Sequence, residues 1–306
     1  MRKIHLTLAL LCAMPIMAEN GALNGKFTVD AEGRQVLFSQ GNLQYNPASG
    51  KWQFAEKQTD YIGYDNNNIS DTYDGWIDLF GWGTGDNPTL LTKHTGFADW
   101  GANSIENGGK SDTIWRSMSY EEWTYLLKTR PHAAELVAKA QVCGVNGLLL
   151  LPDDWEQIDT LTLKTDEQKY ADNILDSVHW VVWDSLGAVF LPAAGYRMGK
   201  NVTSVYDECH YVADTLDFAR ELRTTEDKVN TPISLTYGNL IWGLSVRLVQ
   251  DYVAPVDDQA LNNVQRDNVQ CTKVIRNGQL FIMYKGAMYN VQGVVKANGE
   301  WTNGRK

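Results

Sequence analysis

Gly187-Ala-Val-Phe-Leu-Pro-Ala-Ala-Gly-Tyr-Arg197 is a short apolar run that ends at Pro192, passes through two alanines and restarts at Gly195. Two other segments follow the same plan. Leu148-Leu-Leu-Leu-Pro-Asp-Asp-Trp155 is again a continuous apolar run closed by proline, and Gly243-Leu-Ser-Val-Arg-Leu-Val249 has the alternation of a strand. A helix this short is marginal, and proline breaks it, so the three runs predict buried strands of a small central sheet. The rest of the chain is rich in loops.

Length and composition bound the class. The 306 residues, 43% of them hydrophobic, are enough for one large domain or two smaller ones with a buried core. Residues 1–18 begin with Arg2-Lys3, continue through an apolar stretch and end on Ala18, the pattern of a cleaved export signal. Leu11 stands before Cys12 where a lipoprotein signal wants a small residue, which weakens that alternative. No later run approaches the ~20 apolar residues of a membrane-spanning helix. Loss of Arg2 and Lys3 takes the formal charge from −10 to −12. That balance argues against nucleic acid and anionic membrane as partners, since both require clustered Lys and Arg. Cys143, Cys209 and Cys271 then remain, an odd number with wide spacing. Buried free thiols are expected of them, although one pair could form a disulfide in an exported protein.

In chain order, Gly25–Val29 and Gln35–Ser39 flank a Gly-containing connection and read as a hairpin, as do Gly41–Tyr45 and Gly50–Phe54 around Asn46–Ser49. Residues 60–86 are dense in Asp, Asn, Gly and aromatic side chains, a composition of turns held in place by aromatic anchors. Ser119-Tyr-Glu-Glu122 has capping-box spacing, with Met118 placed to staple onto Trp123, and predicts a helix to about Arg130 before Pro131. A second helix is expected over Ser177–Leu186, with Trp180, Trp183 and Leu186 on one side.

Tyr61-Ile-Gly63, Gly75–Gly83, Trp115-Arg116, Glu122-Trp123, Gly144–Trp155, Gly187–Arg197 and Gly243–Val249 together resemble segments of secreted Bacteroidetes proteins. Those proteins are similar to the C-type-lectin-like fold shared with formylglycine-generating enzymes (sulfatase-modifying factors) and with variable proteins of diversity-generating retroelements. The resemblance covers about residues 25–250. It implies an α+β, C-type-lectin-like fold with small antiparallel sheets, two main helices and long ordered loops, but one fold hosts unrelated activities. The catalytic relatives use cysteines near the domain end to bind copper, whereas Cys209 is the last domain cysteine here and Trp242–Gln250 has none. Calcium-dependent lectins carry Glu-Pro-Asn or Gln-Pro-Asp followed by Trp-Asn-Asp, of which Asp86-Asn-Pro88 is a faint echo. Many relatives also carry Gly-x-Tyr-Trp-Ser-Ser after the central strand, and Tyr206–Asp214 diverges from it.

Other groupings have plainer readings. Asp65, Asp71, Asp74 and Asp78 with Asn66–Asn68 are oxygen-rich enough for calcium but lack EF-hand order, so Asx turns are the simpler account. Glu208, Cys209 and His210 are adjacent on an extended segment, where neighbours point to opposite faces, poor geometry for a nucleophile and its base. Asp153-Asp154 reads as a cap or turn rather than a glycosidase pair. Arg197 and Arg247 are expected in charge-paired structural roles. The aromatics point best to a ligand, because Trp and Tyr faces stack on sugars and anchor interfaces. Of the eleven tryptophans most are expected in the core, including Trp123, Trp180 and Trp183. A surface platform is sought at Tyr64, Tyr73, Trp100, Tyr206 and Tyr211.

After Gln250 the composition becomes polar, so residues 251–270 read as a linker and 271–306 as a small β-rich segment with turns at Asn277-Gly278, Lys285-Gly286 and Gln292-Gly293. That segment resembles sorting or anchoring tails of secreted Bacteroidetes proteins, and a purely structural meander is an equal reading. The whole predicts a non-catalytic binding or adhesion module at the cell surface, with glycan or protein as ligand, no obligatory cofactor and calcium as an option. The rivals are a formylglycine-generating-enzyme-like catalyst and a structural surface protein without a dedicated ligand.

Overall fold

A computed structural model describes residues 21–109, 114–156, 161–165, 169–214 and 239–254, and the backbone of strands within 220–225, 234–237 and 271–302. The expected export signal and most of the expected linker lie outside the described residues. The chain divides into two compact units, the first ending at Tyr252 and the second beginning at Val253. The architecture is mixed α+β, built of small, mostly antiparallel sheets with few helices.

The first unit opens with the two expected hairpins, β1 (Phe27–Thr28) with β2 (Gln35–Phe38) and β3 (Leu43–Asn46) with β4 (Lys51–Phe54). A short β5 (Leu79–Gly81) follows the aromatic loop. Helix α1 (Tyr120–Thr124) starts at a complete capping box. Ser119 Oγ accepts from Glu122 N at 3.1 Å and Glu122 Oε2 accepts from Ser119 N at 2.9 Å. Met118 and Trp123 are buried in the same cluster, as a staple requires. The helix reaches Arg130 as expected, but residues Tyr125–Thr129 form a wider π-type turn. The buried Arg130 side chain turns back, its Nε donating to Leu126 O at 2.9 Å and its Nη1 to Asp153 Oδ1 at 2.8 Å.

Strands β6 (Val137–Val142), β7 (Val145–Leu150), β8 (Ile174–Leu175) and, after helix α2 (Ser177–Ser185), β9 (Val189–Pro192) form one sheet in the order β8-β6-β7-β9. Register sets Leu148 opposite Leu191 and Leu149 opposite Phe190. Both strands are buried on both faces. Leu148, Leu150, Val189 and Leu191 pack with Phe27, Phe38 and Trp123, while Leu149 and Phe190 pack with Trp180 and Trp183 of α2. This two-sided cover is why the sequence reads as continuous apolar runs rather than alternation. Leu186 departs from expectation: it caps α2, has left helical geometry at ψ 3°, and is 40% exposed.

Beyond β9 the chain changes sheets. Ala193 and Ala194 are buried, Gly195 adopts φ +72°, and β10 (Tyr196–Met198) enters a second sheet with β11 (Asn201–Thr203), β12 (Glu208–Ala213), β13 (Arg220–Thr225), β14 (Ser234–Tyr237) and β15 (Trp242–Ser245), joined by β5. The 243–249 run is therefore not a third strand of the central sheet. It is split between β15 and β16 (Val249–Asp251), and β16 pairs with β2. The carbonyls of Val246 and Leu248 between them accept from Leu43 N and Ser39 N, both at 2.9 Å, which bends the segment from one sheet to the other.

Asp153 is a tie between elements as well as a turn residue. Its Oδ2 accepts from Thr28 N and Oγ1, each at 2.7 Å, and its Oδ1 from Arg130. Cys143 and Cys209 are both free; Cys209 is buried, but Cys143 is exposed, contrary to expectation, because it sits at φ +50° in the tight β6–β7 turn. The second unit is an antiparallel meander of β17 (Cys271–Arg276), β18 (Gln279–Tyr284), β19 (Ala287–Tyr289), β20 (Val295–Ala297) and β21 (Glu300–Thr302). Among the described residues no helix is long and apolar enough to cross a membrane.

Candidate functional site

The aromatic loop is folded around one buried amide. Asn66, within a 3-10 turn over Gly63–Asn68, donates from Nδ2 to Asp78 Oδ1 at 2.8 Å and to Gly63 O at 2.9 Å. Its Oδ1 accepts from Asp78 N at 2.9 Å and Leu79 N at 3.2 Å. Asp78 Oδ2 accepts from Ile62 N at 2.8 Å, and Asn67 Oδ1 accepts from Val202 N at 2.8 Å, which ties the loop to β11. Burial nevertheless dominates at Asp78: it outweighs these hydrogen bonds and pushes the carboxyl up to about 6.

This frame presents tyrosines. Tyr64 is 59% exposed and Tyr206 is 40% exposed, and Tyr61 is half-buried on the small cluster of Leu79, Ala194 and Val202. Burial first, then the Tyr206 phenol, Asp78 and the Tyr64 phenol, raise the Tyr61 hydroxyl above its ordinary value, and Tyr61 packs on the same small cluster as Val205, the residue before Tyr206. Tyr206 is held in an uncommon conformation, at φ +78°, two residues after Ser204 at φ +55°. Tyr206 N donates to Ala193 O at 2.7 Å, its carbonyl accepts from Asn146 Nδ2 at 3.1 Å, and its hydroxyl accepts from Gln141 Nε2 at 3.0 Å.

Of the five aromatics expected at a platform, Tyr64 and Tyr206 are exposed. Trp100 and Tyr211 are both 0% exposed, which removes them from any surface. Trp100 stacks edge-on to Phe97 in the core, and the Tyr211 hydroxyl is spent on Asn42 and on Pro192 O. Tyr73 is half-buried against the same core as Trp100.

The calcium reading is not supported by geometry. Asp65, Asp71 and Asp74 are all exposed, and among the described residues no group of three or more His, Cys, Asp or Glu is placed to hold a metal ion. Asp71 instead accepts from Thr89 Oγ1, and the Asp74 backbone carbonyl accepts from Asn46 Nδ2. Cys209 and His210 lie on opposite faces of β12, as expected of chain neighbours on a strand. Glu208 and His210, two apart, share a face, with His210 Nε2 2.7 Å from Glu208 Oε2, while Cys209 points into the core. Arg197 and Arg247 are buried on neutral oxygens rather than charge-paired. Arg197 donates to Leu79 O and Gly199 O, and Arg247 to Gln58 Oε1 at 2.7 Å, and burial lowers each to about 10.

Tyr61 stands in the Tyr61-Ile-Gly63 motif, three residues before Tyr64, and that spacing was the available signal. Its nearness to Tyr206, which is far away in sequence, had none. The chain matches no protein-family profile, no curated protein and no solved structure.

Proposed function

We propose that this chain is a secreted, non-catalytic binding or adhesion module with a C-type-lectin-like fold, taking a glycan or protein ligand on the surface of Tyr61, Tyr64 and Tyr206. The observation that carries the reading is the exposure of the Tyr64 and Tyr206 phenol rings, the first on a loop pinned by the buried Asn66–Asp78 pair and the second in a turn held by Ala193, Asn146 and Gln141. Such a surface offers large, pre-ordered apolar faces with hydroxyls at their edges, the chemistry that sugar rings and protein hot spots both use. The motifs between residues 25 and 250 support the family assignment, and the export pattern at 1–18 supports a surface location. The non-catalytic reading rests on the sequence, where the domain end lacks the cysteines of the catalytic relatives.

A glycan array of the wild-type chain and of Tyr64→Ala, with calcium and with chelator, tests the proposal. Selective binding that survives chelation and is lost in Tyr64→Ala is expected. Binding unaffected by Tyr64→Ala removes the site. Absence of glycan binding leaves the protein ligand, read by cross-linking through a photoreactive residue at position 64.

A further inference from the structure

A second concavity, with a volume of about 460 Å³, lies where the segment after β4 meets α2 and the β6–β7 turn. Its apolar side is formed by Leu23, Trp180 and Val181, and it contains the half-buried carboxylate of Asp184. That volume falls in the range of small-molecule sites, which are mostly apolar with a few fixed polar groups.

The polar end is fixed by a saturated amide. Gln58 is 3% exposed, and its Oε1 accepts from Phe190 N at 2.8 Å and from Arg247 Nη2 at 2.7 Å. With its oxygen committed, its Nε2 must donate outward, to Ala188 O at 2.9 Å and to Asp184 Oδ1 at 2.7 Å. Asp184 thus receives one neutral hydrogen bond from Gln58, and Arg247 acts on it only through space, from behind that amide. The other ionisable groups around the opening are Glu56, Lys57 and Cys143 on the lining, with Asp176 close to Cys143 and bonded to His179. Carboxylates therefore outnumber the single ammonium of Lys57, which is exposed beside Glu56.

We propose that this cleft binds a small organic monocation with an apolar body, an aryl- or alkylamine, with its ammonium at Asp184 and its body on Leu23, Trp180 and Val181. A cation supplies the charge compensation that Gln58 cannot, and the apolar wall rewards a ligand that is more than an inorganic ion. An anion would face Asp184 with Lys57 as the one cationic side chain among the lining residues, beside the neutral donors Thr59 and Ser177, and a neutral ligand would leave the carboxylate charge uncompensated.

Cys143 gives the site its own reporter, being exposed on the lining while Cys209 is buried. The full chain is treated with a maleimide at neutral pH, and labelling of Cys143 is followed by peptide mass spectrometry in the presence of phenethylamine, 2-phenylethanol or hydrocinnamate. Phenethylamine at millimolar concentration is expected to slow labelling, and the alcohol and the carboxylate are not. Asp184→Asn should weaken the amine by about tenfold or more. Equal protection by amine and alcohol overturns the proposal, as does absence of protection by the amine. The comparison among ligands on the wild-type chain stands even if Asp184→Asn folds poorly. Tyr64→Ala should leave the protection unchanged, which separates this cleft from the tyrosine surface.

Discussion

Asn66 and Asp78 bond reciprocally: the Asn66 amide donates to the Asp78 carboxylate at 2.8 Å while the Asp78 backbone N–H donates to the Asn66 carbonyl at 2.9 Å. The pair fixes the tyrosine loop, and both residues are 0% exposed. Its weak point is the charge.

Burial raises the Asp78 carboxyl from 3.8 to about 6, so the folded chain holds that proton more tightly than the unfolded chain. The Asp78 contribution to stability is therefore fully present below pH about 4 and is lost as pH rises through about 6, by on the order of 3 kcal/mol. Asp214, also raised to about 6 by burial and then by Asp99, acts with the same sign. Urea unfolding across this window should show a smaller loss of stability with rising pH in Asp78→Asn than in the wild type. Equal slopes would remove Asp78 as the source.

The start of α1 carries two separable contributions. Ser119→Ala removes one cap bond and should cost about 1 kcal/mol. Glu122→Ala removes the reciprocal cap bond and also the contacts of Arg34 at 2.7 Å and of Arg116 at 2.7 and 2.8 Å with a side chain only 5% exposed. It should cost more because two arginine contacts are lost with the cap bond, but only about 2–3 kcal/mol, since both arginines are partly solvated and recover some hydration. Denaturant midpoints rank the two, and an equal cost would show that the arginine contacts add nothing.

Gly195 is the corner between two sheets. A Cβ there would lie 2.2 Å from Thr203 O, and φ is +72°. Gly195→Ala should lower stability by about 3 kcal/mol or more, since backbone has to move as well as twist. A thermal melt within a degree or so of wild type would contradict the corner geometry.

Tyr206 at φ +78° is strained in a way its side chain does not require. Tyr206→Gly should fold with stability within about 1 kcal/mol of wild type, trading the Gln141 bond for relief, while Tyr206→Val should fall well below it because a branched side chain resists positive φ. Both variants lose the ring, so both should lose ligand.

The sequence carried the local parts of this fold well. The hairpins, the capping box at Ser119 and the apolar runs at 148–151 and 189–192 each have their signal within a few residues, and each formed. What it did not carry was long-range. Whether Trp100 or Tyr64 faces solvent depends on packing partners from elsewhere in the chain, and composition treats the two alike. The split of 243–249 between sheets depends on the carbonyls of Val246 and Leu248 meeting the N–H groups of Leu43 and Ser39, about 200 residues away. The Glu208–His210 contact follows from the two-residue period of a strand, which puts both side chains on one face.

The pairing of β2 with β16 has a consequence in time. The edge of β2 away from β1 finds its partner only when Val249, Gln250 and Asp251 exist, so the larger unit cannot seal until almost all of it has been synthesised. Closing a loop of that span is slow relative to local helix or hairpin formation. A ribosome-bound fragment ending shortly before residue 249 should therefore stay protease-sensitive in its first hairpin, and the molecule should acquire its resistance late and all at once.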